Sequence, residues 1–406
     1  MKNYKRHFIP GIVILLFTFL ILPSPSHADP LDNWVTITSG TNHWFYGMTY
    51  GSSKFVLAGD YGTIMTSSDG VAWTDSDSGV TNHLYGIGFG NNTFIAVGTL
   101  GKILSSPDGI TWTVRSEGQA HPVSQNLYGV AYDGTGKFVV VGGHGTIRTS
   151  TDNGVTWVDP FYASTPVTDN WLFAAVYDYG TFIDVGASGT ILSSPDGDIW
   201  GVEGSPTALH LNGVAYGNGI FTAVGESGTV LTSTDGSVWT AQSSGITDWL
   251  RGVTYDNGYF VAVGDQGTIL TSPDGINWSL RYWNDSFDLE DVAYDSTNSA
   301  FAAVGGYGTI LLDGDTIPSL PVKIPGVTPE FYSTIQAAYD AAADGETIQM
   351  QAWHFNENPL LFDRNITVNM EGGYDPAYNI NPQGSTVNGS LTITDGTVVV
   401  EKLIIR

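Results

Sequence analysis

The sequence predicts an all-β fold: a seven-bladed β-propeller closed by an N-terminal strand, followed by a short parallel β-helix-like domain with a capping helix. Two observations predict the propeller: a phrase that recurs about every 40 residues, and four β-rich runs within each recurrence. A change of pattern near residue 315 predicts the second domain. The predicted domains are a signal peptide (1–28), the propeller (29–315), a Pro-rich linker (316–330) and the β-helix-like domain (331–406).

The first 28 residues have the three parts of a secretory signal peptide. Three basic residues lie among the first six, an apolar run follows over 8–22, and Ser26-His27-Ala28 forms a small-residue cleavage site. We therefore expect a secreted chain that resides in the periplasm, outside the cell or on the cell surface. No later run is long enough to cross a bilayer, so no membrane insertion is expected after cleavage.

The chain is acidic, rich in aromatic residues and free of cysteine. Its formal net charge is −26, and 12% of its residues are aromatic. Because there are no disulfides, the exported fold must be held by packing alone. An acidic surface repels nucleic acid, so the expected partners are proteins or neutral glycans, with no nucleic acid and no cofactor.

The repeat is anchored on Gly-Thr-Ile or a close variant. Seven anchors, spaced 39 to 44 residues apart, begin at Gly62, Gly101, Gly145, Gly189, Gly228, Gly267 and Gly308. One unit, over 211–243, reads LNGVAYGNGIFTAVGESGTVLTSTDGSVWTAQS and divides at Gly, Asn and Asp into four β-rich runs. We name these runs strands A to D, and seven anchors predict seven four-stranded blades.

The seventh repeat lacks strand D and its tryptophan. Six copies of a Ser-x-Asp phrase end in Trp, whereas the text from Ile310 reads ILLDGDTIPSL. The predicted mature N-terminus reads NWVTITSG, which matches the strand D text VWTAQSSG and puts Trp34 in the empty place. We therefore predict that residues 33–40 complete the seventh blade and close the ring, which hides an open edge and ties down a terminus.

The aspartates of the repeated phrase are predicted to build the turn between strands C and D. A carboxylate there accepts backbone N–H bonds, the following Gly allows a positive φ, and the Trp packs beneath. These aspartates are expected to be structural, and no catalytic residue is assigned. They are Asp69, Asp108, Asp152, Asp196, Asp235 and Asp274.

The fuller pattern, GVAYxxGxFVAVGxxGTILTSxDGxxWT, resembles the propellers of photosystem II stability/assembly factor-like proteins over about residues 33–315. Its turn is similar, more loosely, to the Asp-box (BNR) repeat of sialidase-type propellers, shortened by one residue in most copies. Nothing in the sequence indicates a photosynthetic partner. A propeller hosts many functions, so these resemblances bear on the fold more than on the activity.

The sialidase resemblance implies three arginines on a substrate carboxylate and a Tyr–Glu nucleophile pair. The arginines of the propeller are Arg115, Arg148, Arg251 and Arg281, and the Arg-Ile-Pro motif of that family is absent. An arginine cluster with carboxylate-binding geometry is therefore not expected.

Two charged residues are expected to pair between neighbouring blades. Arg148 replaces the Leu of GTILTS in the third repeat, and Asp184 replaces the Ala of FVAVG in the fourth. Since an unpaired charge in an apolar interface is costly, we predict a structural ion pair between Arg148 and Asp184.

A different pattern begins after the stretch DTIPSLPVKIPGVTP. The segment STIQAAYDAAADG predicts a helix with Ser333 as its N-cap and Gly345 as its stop. Its apolar face is predicted to carry Ile335, Ala338, Tyr339 and Ala342. The short strands that follow resemble the first turns of a right-handed parallel β-helix of the pectin-lyase type, with the helix capping its end. Two or three turns are too few for the catalytic cleft of that family.

The repeats differ most on the face that carries the D–A and B–C loops, here named the variable face. Aromatic and acidic side chains around a concave mouth suit a peptide or a sugar ring. The ligand-face candidates are Trp44, Tyr85, Trp171, Trp249, Arg251, Asp265, Tyr282, Trp283, Asp288 and Glu290. Two interpretations stay open: a ligand face, or aromatic residues that plug the channel beside solvated acids. His83, His144 and His210 lack the spacing of a zinc site, so no metal is expected.

Three functions stay open. The leading hypothesis is a secreted or cell-surface, non-enzymatic binding or assembly protein that uses the variable face. A glycan-active hydrolase of sialidase-like architecture would draw its carboxylate pair from Glu226, Asp265, Asp288 and Glu290. The third possibility is a purely structural surface module.

Overall fold

The computed structural model describes residues 31, 34–116, 124–161, 166–282, 286–313, 322–325, 330–332 and 335–351, together with strands within 354–405. The signal peptide predicted over 1–28 and most of the linker predicted over 316–330 lie outside these residues. None of the helices in the described part of the chain has the length and apolar character that a membrane span needs.

Residues 34–313 form seven antiparallel sheets, which confirms the predicted seven-bladed propeller. The chain begins with β1 (Trp34–Thr38) and then builds the blades in order. The first three blades consist of β2 (Phe45–Gly51), β3 (Lys54–Gly59), β4 (Ile64–Ser67) and β5 (Thr74–Ser76); β6 (Leu84–Gly90), β7 (Thr93–Gly98), β8 (Ile103–Ser106) and β9 (Thr113–Val114); and β10 (Leu127–Tyr132), β11 (Phe138–Gly142) and β12 (Ile147–Ser150).

The remaining blades repeat the same A-B-C-D order. Blades four to six consist of β13 (Leu172–Asp178), β14 (Thr181–Gly186), β15 (Ile191–Ser194) and β16 (Gly201–Val202); β17 (Leu211–Gly217), β18 (Ile220–Gly225), β19 (Thr229–Ser233) and β20 (Thr240–Ser243); and β21 (Leu250–Asp256), β22 (Tyr259–Gly264), β23 (Ile269–Ser272) and β24 (Ser279–Tyr282). The seventh blade contains β25 (Leu289–Asp295), β26 (Ala300–Gly305) and β27 (Thr309–Asp313). In blade three, strand D is reduced to one bridge between Thr149 and Val158.

The N-terminal strand is the fourth strand of the seventh sheet. β1 pairs antiparallel with β27, with Trp34 opposite Asp313 and Thr38 opposite Thr309. The indole N–H of Trp34 donates to the carbonyl of Leu31 at 3.1 Å. The repeat tryptophans make the same contact three residues back, as Trp73 does to the Gly70 carbonyl at 2.9 Å. Trp34 is buried.

The core is divided among the interfaces between neighbouring blades. Strand side chains alternate between the two faces of a blade, so each B strand packs half of its residues on the preceding blade and half on the next. Between blades three and four, for example, Val139 and Val141 pack against Phe182 and Leu192. Each B strand carries a phenylalanine that is at most 1% exposed: Phe55, Phe94, Phe138, Phe182, Phe221, Phe260 and Phe301.

This alternation corrects the predicted pairing of Arg148 with Asp184. Ile147 faces blade four, so Arg148, one residue on, faces blade two. Asp184 shares the side of Phe182 and faces blade three, and among the described residues its carboxylate oxygens have no hydrogen-bond partner. Burial lowers the pKa of Arg148, and the acidic side chain whose charge partly opposes this lowering is Asp159. The two residues therefore lie in different interfaces.

The aspartates between strands C and D hold their turns by accepting backbone N–H groups. Asp108, for example, accepts the amides of Ile110 at 2.9 Å and Thr111 at 2.7 Å, and Ser106 donates to it at 3.0 Å. These bonds lower the pKa of Asp108 to about 2, although burial acts in the opposite direction. Corresponding bonds occur at Asp69, Asp152, Asp196, Asp235 and Asp274. We name the side with these turns the Asp-turn face.

The described residues of the C-terminal region form one helix and mainly parallel strand pairs. Its elements are β28 (Val322–Ile324), β29 (Glu330–Tyr332), α1 (Ile335–Ala341), β30 (Thr347–Gln351), β31 (His354–Phe355), β32 (Leu360–Phe362), β33 (Thr367–Tyr374), β34 (Ser385–Val387), β35 (Leu391–Ile393), β36 (Thr397–Glu401) and β37 (Leu403–Ile405). Parallel pairs join β30, β33 and β36, then β31, β34 and β37, then β32 and β35. β28 lies in the predicted linker yet pairs with β30, so these residues belong to the C-terminal sheet.

The predicted helix forms over Ile335–Ala341, and its predicted face is buried through Ile335, Ala338 and Tyr339. Gly345 follows with a φ of +86°, a left-handed conformation that suits a helix stop. Ser333, the predicted N-cap, lies outside the described residues.

Candidate ligand-binding mouth of the propeller

A β-bulge in every A strand turns one side chain towards the propeller axis. In each blade the pairing of strands A and B shifts register across one residue, as between Phe45 and Gly47 in the first blade. A bulged residue is left out of the ladder and its side chain is re-aimed. The residues at this position are Tyr46, Tyr85, Tyr128, Phe173, Asn212, Arg251 and Glu290. We name them the mouth ring.

All seven mouth-ring residues line one central cavity of about 410 Å³. The floor of the cavity is lined by small residues that follow the ring residues, such as Gly86 and Gly129. A side-chain carbon at Gly86 would collide with the backbone carbonyl of Tyr128 on the next blade, so the inner strands approach closely because glycine is present. The cavity is within the size range of a small-ligand or side-chain pocket.

One side of the mouth is aromatic. The ring centroids of Tyr46 and Tyr85 lie 5.2 Å apart, those of Tyr85 and Tyr128 lie 5.1 Å apart, and Phe173 lies 5.8 Å from Tyr128. Burial raises the pKa of both Tyr85 and Tyr128, so their hydroxyls are neutral at ordinary pH. We name Tyr46, Tyr85, Tyr128 and Phe173, from blades one to four, the aromatic arc.

Tryptophans widen this aromatic surface towards solvent. Trp171 is 43% exposed, and its ring lies 5.8 Å from that of Tyr128. Trp44 packs 5.7 Å from Tyr307, at the tip of a B–C turn. The structure therefore brings the predicted candidates Trp44, Tyr85 and Trp171 to the same side of the mouth.

The other side of the mouth is charged. Arg251 Nε donates to Asp265 Oδ1 at 2.7 Å, and the guanidinium carbon lies 5.2 Å from the centre of the Trp249 ring. Burial acts to lower the pKa of Arg251, but the hydrogen bond to Asp265 and the charge of Glu290 outweigh it, so the pKa is raised. Arg251 is thus a permanent cation held by one carboxylate and one indole.

Glu290 completes the charged side and lines the cavity beside Arg251. Burial raises the pKa of Glu290 to about 7; Arg251 opposes this, while Asp265, Asp288 and Asp291 add to it. Among the described residues, its carboxylate accepts no hydrogen bond. The predicted candidates Trp249, Arg251, Asp265 and Glu290 therefore lie together.

Several polar residues at the mouth have a structural role that sequence reasoning missed. Asp288 accepts the backbone N–H of Gln266 at 2.9 Å, and His210 accepts that of Ser188 at 3.0 Å. Each acceptor holds the B–C turn tip of the preceding blade. In these two pairs the turn tip and its acceptor are 22 residues apart, a separation that could have served as the signal. Asp288 therefore serves an inter-blade contact as well as the electrostatics of the mouth.

Of the predicted candidates that the structure describes, five do not line the cavity itself: Trp44, Trp171, Asp265, Tyr282 and Asp288. Tyr282 ends β24, the outermost strand of blade six, and packs with the cluster of Trp34 and Leu289 between blades six and seven. Strand D lies three strand spacings, about 14 Å, from strand A, so its side chains do not reach the axis. Trp283 lies outside the described residues. In the described ranges, no three His, Asp or Glu side chains are grouped as a metal site.

No protein family profile matches the chain, and no curated protein matches its sequence. Among solved structures, the chain is similar to YCF48 from Cyanidioschyzon merolae, with a TM-score of 0.55, 15% identity, and coverage of 69% of this chain and 98% of that one. It is also similar to a structure described as YCF48 bound to D1 peptide, with a TM-score of 0.57, 17% identity and coverage of 70% and 96%.

The WD40 repeats of RRP9 match with a TM-score of 0.55 at 9% identity, over 69% of this chain and 99% of that one. At these identities the likeness is one of fold alone. The chain is therefore an all-β, seven-bladed propeller with structural neighbours that include YCF48.

Proposed function

We propose that this chain is a non-enzymatic binding or assembly protein whose mouth takes an extended peptide segment of a protein partner. The observation that carries the proposal is the two-sided cavity, aromatic on blades one to four and charged on blades six and seven. Aromatic rings supply contact area at low entropic cost, and a few placed charges supply orientation. The proposed surface is thus the variable face and not the Asp-turn face.

A peptide fits this mouth better than a neutral sugar. Sugars need exposed aromatic faces and several free polar groups, but the rings of the aromatic arc pack against one another. Asp265 and Asp288 are already engaged with Arg251 and a backbone N–H. The fold neighbour YCF48 is described as bound to a D1 peptide, which is a precedent for peptide binding by a propeller of this architecture.

A hydrolase is less well supported by the same carboxylates. Glycoside hydrolysis needs a protonated acid and a second carboxylate that is free to act as base or nucleophile. Glu290 suits the first role, with its pKa of about 7, but its neighbour Asp265 is held by Arg251 at 2.7 Å. A neutral glycan partner and a purely structural role remain the alternatives to be tested.

The proposal includes export and a two-domain organisation. The signal sequence over 1–28 would deliver the chain to the periplasm, the exterior or the cell surface. β1 would close the propeller, and the aspartate turns would be Asp-box turns of the BNR type. The parallel pairs of β30, β33 and β36 support a short β-helix-like domain that follows the propeller in the sequence.

Selection of peptides tests the proposal. The chain from Asp29 onwards is used to select 12-residue peptides from a random displayed library, and their affinities are measured by calorimetry. Trp249→Ala should abolish binding without changing the melting temperature. Val238→Ala removes a side chain that is 69% exposed on the Asp-turn face and should leave binding intact. Selected peptides that bind Trp249→Ala as tightly as the parent would contradict the proposal. So would the finding that the parent binds glycans and no peptide.

A further inference from the structure

Glu290 differs from every other described carboxylate at the mouth in having no hydrogen-bond partner there. The Asp60 carboxylate accepts the Tyr46 hydroxyl at 2.9 Å, and Glu226 accepts the His210 amide at 3.2 Å. The remaining contacts are Asp265 with Arg251 Nε at 2.7 Å, Asp288 with the Gln266 amide at 2.9 Å, and Asp291 with the Met48 amide at 2.8 Å. Glu290 alone in this set is left open to the cavity.

The charge around Glu290 is not balanced. Asp265, Asp288 and Asp291 are its acidic neighbours, and Arg251 is the cation whose charge reaches it. Arg251 is already committed to Asp265 through Nε, so it does not neutralise both carboxylates. A cation placed against Glu290 would therefore gain from the surplus negative charge, in a site partly shielded from water.

The aromatic arc supplies the rest of a cation site. Tyr46 adjoins Glu290 around the ring, and the charge of Glu290 contributes to the raised pKa of the Tyr46 hydroxyl, after burial and Asp60. Tyr85 and Tyr128 line the same cavity. Neutral phenol rings attract cations through their faces and pack well against the methylene stem of a long side chain.

Building on the proposed function, we propose that the mouth selects one positively charged side chain, Lys or Arg, of the bound segment. Its charged head pairs with the Glu290 carboxylate, and its stem lies against the aromatic arc. The ligand class is thus a basic residue within an otherwise extended peptide.

The test uses synthetic copies of the peptides selected above. Each Lys is replaced by Nε-acetyl-lysine and each Arg by citrulline, which remove the charge and keep most of the shape. At one position, this change should weaken binding to the parent protein at least about tenfold, as for the loss of a desolvated ion pair. On Glu290→Gln the same change should cost less than about twofold. Glu203→Gln, at the residue that follows the outer strand of blade four, alters net charge equally and should behave as the parent.

A pH series gives a second readout. Because the pKa of Glu290 is about 7, the affinity of the basic peptide should rise between pH 6 and pH 8 on the parent and stay flat on Glu290→Gln. Peptides that need Trp249 but contain no basic residue, or that lose equal affinity on both proteins, overturn this inference and leave the proposed function standing. Failure to obtain any peptide that depends on the mouth overturns both.

Discussion

The carboxylate of Asp291 accepts a hydrogen bond from the backbone N–H of Met48 at 2.8 Å, and so joins the seventh blade to the first. Its other oxygen accepts the N–H of Val292 at 2.8 Å. The same position in the other blades holds Gly47, Gly86, Gly129, Ala174, Gly213 and Gly252. The seam between the two ends of the ring therefore has a side-chain link at the axis in addition to the β1–β27 pairing at the rim.

This link predicts a specific dependence of stability on pH. Burial raises the pKa of Asp291 from 3.8 to about 6, so the folded chain holds a proton that the unfolded chain has released. The stability from this proton is present below pH 3.8 and is lost as the pH rises through 6. Asp291→Asn should remove the effect. Between pH 4 and 7, the free energy of unfolding of the parent should fall by roughly 2 kcal/mol relative to that of the variant. Urea unfolding at four pH values checks this, and parallel curves for the two proteins would refute it.

The N-terminal strand is expected to stabilise the ring. Deleting residues 29–40 removes the buried indole of Trp34 and exposes the edge of β27. The loss should be several kcal/mol, on the order of a buried aromatic side chain plus a strand. Trp34→Phe is the milder control, since it keeps an aromatic ring and loses the bond to the Leu31 carbonyl. Thermal unfolding measures both, and an unchanged melting temperature after the deletion would mean that β1 does not stabilise the propeller.

Asp184 is expected to weaken the interface between blades three and four. Burial raises its pKa well above 3.8, and its oxygens lack partners among the described residues. The corresponding residue is alanine in four other blades: Ala96, Ala223, Ala262 and Ala303. Asp184→Ala should therefore raise the free energy of unfolding by about 1–3 kcal/mol at pH 7, and by less near pH 4.

The reciprocal change, Ala223→Asp in blade five, is the matched control and should destabilise the protein by a similar amount. Because Arg148 and Asp184 face different interfaces, the effects of Arg148→Leu and Asp184→Ala should add within about 0.5 kcal/mol. Chemical denaturation of the single and double variants measures both claims. A loss of stability in Asp184→Ala, or strong coupling between the two sites, would contradict the geometry and support an ion pair between Arg148 and Asp184.

The aspartate turns should fail at low pH rather than at neutral pH. The pKa of Asp274 is lowered to about 2, chiefly by the backbone N–H of Asn277. Stability from this turn is therefore present above pH 3.8 and lost as the pH falls through 2. Asp274→Ala should cost about 1 kcal/mol at pH 7, as for the loss of a side-chain cap, and nothing at pH 1.5. An equal cost at both pH values would show that the carboxylate is not what holds the turn.

The number and spacing of the repeats predicted the seven blades, because packing between neighbouring blades requires the same apolar sequence pattern in every repeat. The mouth was harder to predict, since its key device is a bulge, and a bulge depends on how two strands register rather than on a residue type. Arg251 and Glu290 were found because they interrupt a run of aromatic residues. Tyr282 was assigned to the mouth because its place near a loop does not reveal its distance from the propeller axis. Asp291 was missed because the equivalent position in the six other blades holds a small packing residue.

The location at which a selected peptide binds is the most direct test of the proposed peptide-binding mouth. A crystal structure of the complex with the tightest selected peptide would give that location without any assumption about energies. We predict an extended segment over the mouth ring, with a basic side chain within hydrogen-bond distance of Glu290 and apolar contacts to Tyr85 and Tyr128. A peptide seated on the Asp-turn face, or on the C-terminal strands, would contradict the central claim.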